Sequence, residues 1–79
     1  MSENTLKAEI EKGISRMQTL RDEVRVRLHL AGMDAKEEWD KLEPSLVDIE
    51  RKAEDFTDAT RRAVEDALKR LSALRSKLS

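Results

Sequence analysis

The chain has 79 residues and a formal net charge of −1, with 42% charged and 3% aromatic side chains, no cysteine, two glycines and one proline. One small domain is the most that fits. The absence of cysteine excludes a disulfide frame and any thiolate metal or redox site, and two glycines cannot build a phosphate-cradling loop of the Rossmann or P-loop kind.

The amino-terminal residues show no basic start followed by an apolar run, so no secretory signal is expected and the expected location is the cytoplasm. Apolar positions then recur at helical spacing almost from end to end: Leu6, Ile10, Ile14, Met17, Leu20, Val24, Leu28, Ala31, Ala35, Trp39, Leu42, Leu46, Ile49, Ala53, Phe56, Thr60, Ala63, Ala67, Leu71, Leu74 and Leu78. From Ile10 to Leu78 there are 19 steps over 68 residues, close to the α-helical period. No window alternates with period two, so no strand is expected. Acid-before-base pairs at i,i+4 (Glu3/Lys7, Glu23/Arg27, Glu37/Lys41, Asp48/Lys52, Asp58/Arg62, Glu65/Lys69, Asp66/Arg70) organise the polar face for a helix.

The first helix is predicted over about residues 4–31. Gly13 lies within strong periodicity and is expected to stay helical, at a cost of about 1 kcal/mol against alanine. Gly32 suits a left-handed position after a helix end, and Asp34 with Glu37 has the spacing of an N-cap and its N3 carboxylate. A turn is therefore predicted at about residues 32–33, with Val26, Leu30 and Met33 covered at the corner. The second helix is predicted over about residues 34–78, with a break or kink at Pro44. The stripe keeps its phase across Gly32, so one long, kinked helix in a coiled coil is the alternative.

The expected fold is thus all-α: an antiparallel hairpin of residues 1–79 in which Arg16, Arg21, Arg25 and Arg27 run beside the acidic stretch from Asp34 to Asp58. Charge is uneven along the chain. Residues 1–30 sum to +1, residues 31–60 to −6 and residues 61–79 to +4. The second helix overhangs the first by about 25 Å at 1.5 Å per residue, and its apolar face needs a cover. Only 38% of the chain is hydrophobic, including eight alanines. A second copy is the simplest cover, giving a coiled-coil or four-helix homo-oligomer, most simply a dimer. The interaction stripe would be carried by Ile10, Met17, Val24, Leu28, Trp39, Leu42, Leu46, Ile49, Phe56, Leu71, Leu74 and Leu78.

Candidate chemistry is sparse. His29 lacks the Glu-x-x-His partner of helix-borne metal sites, because position 26 is Val26. The carboxylates Glu37, Glu38 and Asp40, and Glu54, Asp55 and Asp58, read as a solvated face rather than an acid/base pair. No nucleophilic triad is available. The expectation is a protein without enzymatic activity, cofactor or metal. The basic carboxyl-terminal segment, Arg61-Arg62 and Lys69 to Lys77, spreads around the helix and has no interleaved aromatics, so nucleic acid is not expected. The predicted function is a structural, protein-interaction module that self-associates through its amphipathic stripe. The alternative is an amphipathic helical protein that binds a lipid, granule or membrane surface.

Overall fold

The structure, a computed structural model, describes residues 2–78, with side chains described from residue 5 onward. The side chain of Glu3, one half of the predicted Glu3/Lys7 pair, lies outside the described set. The fold is all-helical: α1 (Ser2–Leu28), α2 (Met33–Arg51) and α3 (Asp58–Lys77). The helices run up, down and up. Glu9 and Arg61 meet near one end, Glu23 and Arg75 near the other, so α1 and α3 are parallel. Lys77 reaches Glu38 at 2.8 Å, so α2 and α3 are antiparallel.

The turn near Gly32 is present, but its chemistry differs from the prediction. Gly32 is the N-cap of α2 with φ −75° and ψ 175°, an extended conformation open to any residue, and its carbonyl accepts from Lys36 N. Asp34 lies inside the first turn of α2, where its charge complements the helix dipole. The corner is also barer than expected. Val26, Leu30 and Met33 are 71%, 96% and 73% exposed, because Val26 lies off the buried row of α1 and Leu30 and Met33 sit in the turn and at the first residue of α2, outside the packed rows.

The long second helix of the prediction is two helices. Pro44 does not divide it; it is exposed within α2. The interruption is at residues 52–57. There the last turn of α2 tightens into i,i+3 bonds, with Lys52 N donating to Ile49 O and Ala53 N to Glu50 O. Thr57 then caps α3, its hydroxyl oxygen accepting from Thr60 N at 3.2 Å. The predicted overhang is thereby folded back on its own chain. Phe56, expected in the core, sits on this turn at 39% exposure, with the Lys7 ammonium 5.5 Å from its ring centre.

The core is built from three rows. Ile10, Met17, Leu20 and Val24 come from α1, Trp39, Leu42, Leu46 and Ile49 from α2, and Val64, Ala67, Leu71 and Leu74 from α3. Leu28 and Leu78 are half-buried at its edge. On α3 the buried row steps four residues from Thr60 to Val64, where the prediction took three to Ala63, and so leaves Ala63 exposed. Buried Thr60 is satisfied through a 3.1 Å hydrogen bond from the Thr57 hydroxyl.

Candidate functional site

Three features of the surface and seams follow from this arrangement. The first is the α1–α3 seam, where the helices come closest. Gly13 is buried, and a Cβ placed on it would overlap Val64 Cγ1. Glycine here serves close approach of two helices, which explains why the chain tolerates its poor helix propensity.

The second is a polar clamp between α1 and α2. The Arg21 guanidinium, 19% exposed, pairs with Glu50 at 2.9 Å and lies 3.7 Å from Glu43. Arg25 donates to the same Glu43 at 3.1 Å. Glu43 and Glu50 are seven residues apart, hence on one side of α2. The predicted apposition of first-helix arginines with the acidic stretch is realised at Arg21 and Arg25. Arg16 instead borders the groove between α1 and α3, beside Gly13 and Leu68. Arg21 Nε is buried without a hydrogen-bond partner, so the clamp is not fully compensated.

The third is the exposed apolar corner of Val26, Leu30 and Met33. Beside it lies an open groove of about 550 Å³ that includes Leu30, Ala31, Ala35 and Leu78, with Arg27, Glu38 and Lys77 on its rim. The solitary His29 is exposed on the same turn. Among the described residues, no three His, Cys, Asp or Glu side chains converge as metal ligands.

Three of the six cations of the basic third helix pair within the chain. Arg61 faces Glu9, Asp58 and Glu65, Arg75 Nε lies 3.1 Å from Glu23, and Lys77 pairs with Glu38. Glu9 and Glu23 of α1 and Glu38 of α2, remote in sequence, are thus brought beside the third helix. Among the described residues, no helix is long and apolar enough to cross a membrane.

Of the twelve predicted stripe residues, the structure buries Ile10, Met17, Val24, Trp39, Leu42, Leu46, Ile49, Leu71 and Leu74 together inside one chain. Sequence reasoning missed Val64 and Gly13 as a packing pair. The available signal was a glycine and a valine on two helices of the same bundle, which periodicity within one helix does not reveal. Comparison with protein-family models, with curated proteins and with solved structures gives no match.

Proposed function

We propose that this protein is a non-enzymatic helical interaction module that contacts a protein partner through its Val26–Leu30–Met33 corner. The observation that supports this is the placement of three large apolar side chains in water, at 71%, 96% and 73% exposure, in a chain with few such residues to spend. Exposed large apolar side chains near charges of both signs are a usual composition of a contact surface. The partner chemistry that fits is an apolar protein groove able to accept Leu30 as its central anchor. Self-association through the main stripe requires the bundle to open first, because α3 covers that stripe within the chain.

A triple substitution, Val26→Ser with Leu30→Ser and Met33→Ser, tests the reading. It should leave the helical circular-dichroism signal and the unfolding midpoint nearly unchanged, while removing proteins that wild-type chain retains from host extract. Equal retention by both chains would reject the corner as the contact surface.

The lipid reading is supported by the same corner, which Arg27 and Lys77 adjoin through the groove. In the closed bundle the apolar faces of all three helices point inward, so a lipid surface would meet the corner alone. Trp39 is buried and is a poor reporter of such contact. A Leu30→Trp variant reports on it directly, and a blue shift of its added emission on anionic vesicles would favour lipid over protein.

A further inference from the structure

We propose that this chain pairs with a second copy of itself by exchanging α3, with α2, residues 52–57 and α3 becoming one continuous helix. The partner copy then fills the groove between α1 and α2 with its own α3. This inference rests on the 52–57 turn and the core, and is independent of the exposed corner.

The turn is made of residues that a helix accepts. Lys52, Ala53, Glu54, Asp55, Phe56 and Thr57 include neither glycine nor proline. No described residue outside glycine has positive φ, so the turn contains no position committed to a left-handed bend. What stops the helix is local: the Thr57 cap and the bonds from Asp55 N to Lys52 O and Thr57 N to Asp55 O, both at 2.9 Å. In a continuous helix those backbone groups find i,i+4 partners, and Thr60 Oγ1 can bond to the preceding turn.

The apolar pattern also runs through the turn without losing phase. Trp39, Leu42, Leu46, Ile49, Ala53, Phe56, Thr60, Val64, Ala67, Leu71, Leu74 and Leu78 make eleven steps over 39 residues, each of three or four. A turn has no need of that regularity, whereas a continuous helix does. Ala53 and Phe56 gain most from the change. In the closed chain they sit at the tip of the bundle, Phe56 at 39% exposure. On a continuous helix they join the apolar seam.

Exchange recreates every contact between α3 and the rest of the bundle, now between chains, which makes a second copy the occupant that fits. Keeping the Glu38–Lys77 register puts the two-fold axis near Thr57, midway between them, with Phe56 beside it. The two long helices then pack antiparallel. Each spans residues 33–77 and is roughly 68 Å long at 1.5 Å per residue, against a longest extent of 45 Å for the closed chain.

Sedimentation of the full chain over micromolar to millimolar concentrations tests this with two hinge variants. Glu54→Gly with Asp55→Gly lowers the helix propensity of the hinge and should weaken dimerisation on the order of 30-fold. Asp55→Ala with Thr57→Ala removes the cap and raises that propensity, and should tighten it on the order of 100-fold. Monomers throughout, in wild type and in the Asp55→Ala/Thr57→Ala variant, would overturn the proposal. A second measurement separates exchange from simple docking. Glu38→Cys with Lys77→Cys, joined by a short bismaleimide in the isolated dimer fraction, should give a covalent dimer. Cross-links confined to single chains in that fraction would overturn exchange. Dimerisation that is lost in the corner triple-serine variant and unmoved by the hinge variants would also overturn it, while supporting the corner as the contact surface.

Discussion

Helix α1 meets its two neighbours by different means. Against α3 it presents Gly13 to Val64 and brings the backbones close, with apolar side chains between them. Against α2 it keeps a wider separation, spanned in part by Arg21 and Arg25 reaching to Glu43 and Glu50. The contrast teaches which kind of contact tolerates distance. Dispersion and apolar burial fall away within an ångström of separation, so the close seam needs shape. An arginine has a long apolar stem and a forked head, so it can hold a wider seam and set its register, while contributing less stability.

The close seam should break first when its shape is altered. Gly13→Ala gains about 1 kcal/mol of helix propensity. It must also push Val64, a buried β-branched residue with little rotamer freedom, and overpacking costs about 1–3 kcal/mol. A net loss of about 1 kcal/mol is expected. Gly13→Val brings a larger side chain without most of the propensity gain and should lose about 2–3 kcal/mol. Urea unfolding gives both values. Val64→Ala should cost less in the Gly13→Ala background than in the wild type, a coupling that independent sites would not show. If Gly13→Ala alone stabilises the chain, the close approach described here is wrong.

The wider seam should respond more mildly and through charge. Arg21→Met keeps the apolar stem, removes the buried, unpartnered Nε and leaves Glu50 without its 2.9 Å partner. The expected loss is about 0.5–1 kcal/mol, since the pair is partly solvated. It should shrink at 1 M salt, where screening has already weakened the wild-type clamp. A loss that is unchanged by salt would mean that Arg21 acts through packing, making the two seams alike.

The two seams also differ in how far they could be read from the sequence. The helical class and most core residues follow from local periodicity, because each helix buries one face and that face is written at steps of three and four, whereas the turn near Gly32 follows from the glycine and the acidic helix start after it, against a stripe that keeps its phase there. The facing of Arg21 and Arg25 to the acidic stretch follows from charge order. The division at residues 52–57 does not, because Lys52–Thr57 contains no strong breaker and the apolar phase continues through it. Only Thr57, followed by Asp58, marks a helix start, and such a cap signal is weak beside an unbroken stripe. With α3 not read as a separate helix, the cover for its apolar face was sought only in another chain, and Gly13 had no visible neighbour. The exposure of Val26, Leu30 and Met33 was equally hidden, since periodicity assigns a residue to a face without saying whether anything lies against that face.

The smallest expected effect bears on the two glycines, which separate the seams from the turn. Gly13 is constrained by a neighbour, whereas a Cβ at Gly32 would meet nothing within 4 Å, and its φ of −75° suits any residue. Gly32 also caps α2 without a side-chain hydrogen bond. Gly32→Ser supplies that acceptor, worth a few tenths of a kcal/mol over glycine, and reduces unfolded-chain entropy. A net gain of about 0.5 kcal/mol is expected, read as a higher urea midpoint. The sign matters more than the size. Had the residue occupied the left-handed conformation that its place after a helix suggests, serine would cost stability at the same position. A lower midpoint would therefore restore the left-handed turn and place the start of α2 at Asp34, while a higher one fixes Gly32 as the first cap of the returning helix.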